Sequence, residues 1–217
     1  MIRAVLFDMD GTIFDTERVY RKGWFYAAEA VGFGEMEQLL ARIFGVSERD
    51  IGTYVYQTYG ADFPYEQMLA IRAQRIADEI EKHGVPLKPG VPEVFAQLKM
   101  RGIQSALVTS APVFRIRDFL ERSGLTDVFS AVISGDRVKE SKPAPDIFLL
   151  AAKELGLSPE ECLVVEDSRN GVLAGHRAGM RVVMIPDLQD VNDEVRPAVT
   201  YLLGSLEQLP SVIDSER

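Results

Sequence analysis

The sequence predicts an α/β fold: a Rossmann-like doubly wound parallel sheet interrupted by one small α-helical insertion. Three observations carry this. Apolar runs at 103–109, 131–134, 162–165 and 181–185 alternate with helical patterns at 91–101, 112–123, 145–156 and 169–179. Such alternation indicates parallel strands with helices on the faces of the sheet. The chain also opens on the run Ile2-Arg3-Ala4-Val5-Leu6-Phe7, rich in residues that fill buried strands. Between residues 15 and 84 the strand signal is absent, so a helical segment follows the first strand.

That segment reads as a small bundle. Residues 17–32 space Tyr20, Trp24, Ala27, Ala28 and Val31 along a helix. Ser47 with Asp50 gives a capping signal for a helix running toward Tyr59-Gly60. Pro64 opens a long helix through Met68, Ile71, Ile76 and Ile80 that stops near Gly84. Eleven of the nineteen aromatic residues fall here, so they are read as bundle core first and as a substrate-facing surface second. The predicted domains are an α/β core of residues 1–14 and 85–217 and a helical insertion of residues 15–84. The natural hinges lie near 14–16 and 84–89. The tail adds a short strand at Tyr201-Leu202-Leu203 and a final helix.

The 217 residues are 47% hydrophobic and 26% charged, which is the make-up of an ordinary soluble globular protein. A net charge of −9 argues against nucleic acid or an anionic membrane as partner. An acidic protein that handles anions must concentrate its positive charge locally, so single Lys and Arg positions matter. The one cysteine, Cys162, sits in an apolar run and reads as a buried small hydrophobe in a reducing compartment. With only His83 and His176 beside it, a Cys/His zinc site is not expected. No stretch reaches membrane-spanning length, and the first apolar run is interrupted by Asp8 before it could serve as a signal peptide. A cytoplasmic monomer is the expectation.

In open α/β sheets, ligands bind beyond the carboxyl ends of the strands. The first strand ends in Asp8-Met9-Asp10-Gly11-Thr12, the next in Thr109-Ser110, and the run at 162–165 in Glu166-Asp167-Ser168. Alternation sends Asp8 and Asp10 to one side and Met9 to the other. Between the last two strand ends, Ser141-Lys142-Pro143-Ala144-Pro145 presents a lysine from a rigid loop. Each element has an ordinary reading by itself. Thr109 or Ser110 could cap the helix beginning at Pro112, Asp167 and Ser168 could cap the helix near Arg169, and Lys142 could be a solvated charge. Coincidence on one edge, in a chemically sensible order, favours a site.

Four carboxylates with one lysine make a hard oxygen-donor site suited to Mg²⁺. A phosphate ester would be repelled by those acids unless Mg²⁺ and Lys142 reversed the balance. At ~4 Å, two unit charges interact by roughly 4 kcal/mol with an effective dielectric near 20. One carboxylate could attack phosphorus to give an acyl phosphate. A neighbouring acid could donate to the leaving alkoxide and later accept a proton from water.

Asp8-Met9-Asp10-Gly11-Thr12, Thr109 after an apolar strand, Ser141-Lys142-Pro143-Ala144-Pro145-Asp146-Ile147-Phe148 and Glu166-Asp167-Ser168 resemble the four motifs of the haloacid dehalogenase superfamily. The insertion looks like the small helical cap of its phosphatase and β-phosphoglucomutase branch. The resemblance implies that Asp8 is the nucleophile and a Mg²⁺ ligand, and that Asp10 is the general acid/base and ligates Mg²⁺ through its backbone carbonyl. It implies that Thr109 and the Ser110 backbone N–H hold the transferring phosphoryl group, with Gly11 in the same phosphate-binding set. Lys142 would bridge nucleophile and phosphate, and Glu166 and Asp167 would complete the metal site.

True dehalogenases of this superfamily lack the second aspartate and the acidic metal pair, so the resemblance implies phosphoryl chemistry. In β-phosphoglucomutases a histidine follows shortly after an Asp-Thr pair, and an arginine follows Gly-Val-Ser. Here Asp15-Thr16 is present with Tyr20 at the histidine position, and Gly45-Val46-Ser47 is followed by Glu48 and then Arg49. The expected function is therefore a phosphatase acting on a small phosphate ester. A phosphomutase and a catalytically idle phosphate-ester binder are the alternatives. Tyr20, Trp24, Arg49 and Tyr54 are the candidates for substrate contacts.

Overall fold

The computed structural model describes residues 1–43, 48–187 and 191–216, with the side chains of 48–50 outside that description. The chain divides into two compact units, Met1–Asp15 with Val85–Arg217, and Thr16–Gly84. In the first, six strands form one sheet: β1 Ala4–Phe7, β2 Gln104–Thr109, β3 Ala131–Ser134, β4 Cys162–Glu166, β5 Arg181–Met184 and β6 Tyr201–Leu202. Their spatial order is β3-β2-β1-β4-β5-β6, and all neighbours are parallel. The chain winds outward from β1 through β2 to β3, then crosses to β4 on the other side of β1. The order therefore reverses at β1, where a doubly wound sheet opens its ligand crevice.

Central strands covered on both faces need continuous apolar sequence. β1 and β4 supply it: every residue of each is buried. Ala4, Leu6, Ala106, Val108, Val164 and Val182 pack with Ile147, Phe148, Ala151, Val172 and Ala174. The last five come from α7 (Asp146–Leu155) and α8 (Arg169–Arg177). Phe7 meets Phe95 of α5 (Val91–Met100) edge-on at 5.2 Å, and Phe95 meets Phe129 at 5.1 Å. On α6 (Val113–Ser123), Phe119 packs on Phe14 at 5.4 Å. The tail forms β6 and a closing helix α9 (Leu209–Ser215), as the sequence predicts.

The second unit holds α1 (Thr16–Ala30), α2 (Met36–Ile43), α3 (Glu48–Tyr59) and α4 (Tyr65–His83). Its core gathers Trp24, Ala27, Met36, Leu39, Leu40, Ile43, Val55, Tyr65 and Met68. The sequence reading placed three helices here; α2 is a fourth. Met36, Leu39, Leu40 and Ile43, all buried, carry its helical spacing over only eight residues, too short to hold a helix without packing. No described residue of this unit forms a strand. Among the described residues, no helix is long and apolar enough to cross a membrane.

The chain leaves and re-enters the α/β unit through adjacent segments. Phe14 bridges Leu87, the Asp15 N–H donates to the Pro86 carbonyl at 2.9 Å, and the Lys88 N–H donates to the Ile13 carbonyl at 2.9 Å. The Lys88 ammonium then reaches Asp187 at 2.8 Å and Asp15 at 3.4 Å.

The ring cluster under β1 is a direct test of this packing. Phe95→Ala should cost about 3–5 kcal/mol in urea unfolding. Phe114→Ala, at a side chain 74% exposed, should stay within about 0.5 kcal/mol. Equal effects at the two positions would contradict the assignment of the core.

Candidate active site

The site grows from the end of β1. The Asp8 N–H donates to the Val165 carbonyl at 3.0 Å, still in strand register. A tight loop follows at once: Ile13 and Phe14 donate to the Met9 carbonyl at 3.0 and 2.9 Å, and Gly11 donates to the Phe14 carbonyl at 2.8 Å. Met9 is buried on the side opposite the two aspartates. Gly11 has φ +80°, and a Cβ there would stand 2.3 Å from Asp167 Oδ2. Glycine is thus required both by its left-handed backbone and by the approach of the β4 acid. Thr12 Oγ1 donates to Asp167 Oδ1 at 3.5 Å.

Lys142 is the hub. It comes from the loop preceding α7, and its Nζ donates to Asp8 Oδ1 at 2.6 Å, Glu166 Oε1 at 2.7 Å and the Val108 carbonyl at 3.0 Å. The same ammonium lies 4.9 Å from the Phe148 ring centroid. The Lys142 side chain is 6% exposed and that of Glu166 is fully buried. Removing such ions from water costs several kcal/mol each. At these distances, each opposite-charge contact offsets roughly 6 kcal/mol with an effective dielectric near 20. The two contacts together hold the lysine in its charged form. Burial alone would lower the Lys142 pKa, but Asp8 and Glu166 together drive it above the usual lysine value.

Asp8 responds the other way. Burial, with Glu166 and Asp10 nearby, outweighs Lys142 and raises its pKa from 3.8 to about 7. Glu166 is committed on both oxygens. Its Oε2 accepts from the Asp167 N–H, the Ser168 N–H and Ser168 Oγ at 3.1, 3.1 and 3.0 Å. A Cβ on Gly171 would lie 1.7 Å from Glu166 Oε1, so only glycine lets α8 pass this close. Ser168 caps α8 by accepting the Gly171 N–H at 3.1 Å, which leaves capping to the serine and Asp167 to the acidic cluster. Asp8, Glu166 and Asp167 each place a carboxylate oxygen within 4.8 Å of the other two. Three hard oxygen donors, with two negative charges in excess of the lysine, suit a hard divalent ion such as Mg²⁺.

At the end of β2, Thr109 Oγ1 accepts the Ala111 N–H at 3.0 Å. Neither Thr109 nor Ser110 caps α6. That task falls to Asp136, whose Oδ2 accepts the Val113 N–H at 3.1 Å. From the first turn of α6, Arg115 Nη2 donates to Asp10 Oδ2 at 3.0 Å. Sequence reasoning missed Arg115. Its signal was a cation in the first turn of a helix, where the helix dipole disfavours it.

The candidates in the helical unit divide. Trp24 belongs to the bundle core, stacked on Tyr65 at 6.2 Å. Arg72 of α4 lays its guanidinium 4.6 Å from the Trp24 ring and 5.4 Å from the Tyr20 ring, and sequence reasoning missed this arginine too. Tyr54 packs against the bundle core. The Arg49 side chain lies outside the described residues, as do Gly45, Val46 and Ser47.

Lys142→Met keeps much of the side chain's volume but strands Asp8 and Glu166 without their shared cation. It should destabilise the protein by about 3–5 kcal/mol at pH 8. The pH sign follows from Asp8, whose folded pKa lies above its unfolded value. Its contribution to stability is present at low pH and is lost as pH rises through about 7. The Lys142→Met deficit should therefore shrink at pH 5. Urea melts at the two pH values check this, and an equal deficit at both would contradict it.

A model of the haloacid dehalogenase-like hydrolases matches residues 2–179. The phosphorylated carbohydrates phosphatase of Thermotoga maritima is 35% identical over 182 residues, 82% of this chain and 82% of that protein. Hexitol phosphatase A of Escherichia coli is 34% identical over 213 residues, 95% of this chain and 93% of its own. Among solved structures, CbbY from Rhodobacter sphaeroides in complex with phosphate aligns at TM-score 0.78 and 28% identity, covering 96% of each chain. The match to the family model spans strand ends from Asp8 to Asp167, and on that breadth the chain belongs to the haloacid dehalogenase-like hydrolases.

Proposed function

We propose that this chain is a Mg²⁺-dependent phosphatase that hydrolyses a small phosphate monoester of the sugar or sugar-alcohol class through an aspartyl phosphate on Asp8. One observation carries the reading: Lys142 is held 2.6 Å from Asp8 while Glu166 fixes it from the far side. An ammonium so placed offsets the charge of the nucleophile and of an incoming phosphoryl group. The relatives support the substrate class, since one is named for phosphorylated carbohydrates and another for hexitols.

The mechanism follows from the residues. A carboxylate oxygen of Asp8 forms a bond to phosphorus as the ester oxygen departs. Asp10 gives that oxygen its proton. Thr109 and the Ser110 N–H steady the phosphoryl oxygens, and Lys142 offsets their charge. The Gly11 N–H, expected in the same set, is instead spent on the Phe14 carbonyl, and Gly11 serves by letting Asp167 approach. Asp10 then takes a proton from water, the water oxygen bonds to phosphorus, and the bond between phosphorus and the Asp8 oxygen breaks, freeing inorganic phosphate and restoring the carboxylate. Asp8 and Asp167, with the Asp10 carbonyl, would hold Mg²⁺, which when bound neutralises the acids and the ester. Glu166, already engaged by Lys142 and Ser168, would serve that set mainly by fixing the lysine and the turn that carries Asp167.

The phosphomutase is not the better supported reading, although a solved structure named a putative β-phosphoglucomutase of Thermotoga maritima is 30% identical. Tyr20, at the position of the mutase histidine, packs its ring against Arg72. The setting we propose is the cytoplasm. Cys162 is buried in β4, and burial beside Glu161 and Glu160 pushes its thiol up to about 11, so it stays a protonated core residue.

Phosphate release from hexose, hexitol and other small phosphate esters, with Mg²⁺ and with EDTA, tests the reading. Release should require Mg²⁺ and favour a few esters. Asp8→Asn should lower kcat by roughly a thousandfold or more. Release that survives EDTA or the loss of Asp8 would overturn it.

A further inference from the structure

Arg115 stands in the first turn of α6, where a cation opposes the helix dipole. A nearer acid on the same helix, Asp118, is taken by Arg122 at 2.7 Å. Arg115 instead crosses to a residue 105 positions away, placing Nη2 3.0 Å from Asp10 Oδ2. The pair is only partly exposed, with side chains at 36% for Arg115 and 15% for Asp10. Its base is firm: Asp136 anchors the Val113 N–H, the Arg115 N–H donates to the Pro112 carbonyl at 3.1 Å, and the next residue, Ile116, is buried. The guanidinium is therefore delivered from a fixed helical turn, not from a swinging loop.

We infer that Arg115 is a positioning residue for the acid/base Asp10, fixing the orientation of its carboxylate toward the ester oxygen by holding Oδ2. This rests on the phosphatase reading, in which Asp10 protonates the leaving group. The proton moves between Asp10 and the substrate oxygen, and Arg115 neither gains nor loses one. The contact fixes where Oδ2 stands and so constrains the direction of the whole carboxylate. Loss of that direction removes part of the benefit of general acid catalysis.

The discriminating experiment compares two leaving groups. An alkyl ester, such as a hexitol phosphate, needs a proton on its departing oxygen, whereas p-nitrophenyl phosphate releases a stable anion without one. Arg115→Ala should lower kcat/KM for the alkyl ester about tenfold more than for p-nitrophenyl phosphate. Arg115→Lys should recover part of that selectivity, and Arg115→Ala should have little effect on it in an Asp10→Asn background. Because both esters are assayed on one preparation, partial misfolding lowers both rates alike and leaves their ratio unchanged. An active wild type whose Arg115→Ala variant loses both substrates equally, or neither, overturns the role for Arg115 alone. A wild type that hydrolyses neither ester overturns the phosphatase reading and this role with it.

Discussion

A single ammonium shared between two buried carboxylates organises this protein. Lys142 lies between Asp8 at the end of β1 and Glu166 at the end of β4, two strands that are neighbours in the sheet. Burial of these charges is costly, and each opposite-charge contact offsets part of that cost. The three groups make sense only together, and the backbone conforms to them. Gly171 gives up its side chain so that α8 can pass Glu166, and Gly11 gives up its own so that Asp167 can approach. The Val108 carbonyl takes the third ammonium proton and ties β2 into the same knot.

A chain of net charge −9 concentrates two cations at this edge of the sheet, where Lys142 and Arg115 are both turned inward onto aspartates. The acids still outnumber them, so a divalent ion would be needed to admit a dianion. The contacts of the two cations differ in strength and purpose. The nearly inaccessible Lys142 pair holds its charges in a poorly screened setting. The Arg115 contact is more exposed, where ion pairs add little stability, so its value lies in geometry. Burial, with Glu166 and Asp10 nearby, raises Asp8 to about 7, and a divalent ion would favour its charged form.

Much of this was legible in the sequence because a parallel sheet converts sequence order into spatial order. The apolar runs located the strands, and polar residues just beyond them had to share one edge. Hence Asp8, Asp10, Thr109, Lys142, Glu166 and Asp167 could all be named in advance. Arg115 could not, because a helix in its first turn offers several directions and periodicity does not say which one meets Asp10. Arg72 was hidden for a related reason: its partners Tyr20 and Trp24 lie on another helix, and only packing brings them together. The helix at Met36–Ile43 was spaced correctly but too short to stand out. The family resemblance places Glu166 in the metal site beside Asp167. Its bonds to Lys142 and Ser168 show a residue first occupied with holding the site in shape.

The central claim is that Asp8 is the atom-bonding partner of phosphorus, and it can be tested on the covalent state itself. Enzyme turning over an ester with Mg²⁺ is quenched and treated with borohydride, which reduces an acyl phosphate to an alcohol. The digested peptides are then read by mass spectrometry. Homoserine in place of aspartate at position 8, and at no other carboxylate, is the result predicted. Reduction at another acid, or none while the ester is being hydrolysed, would contradict it.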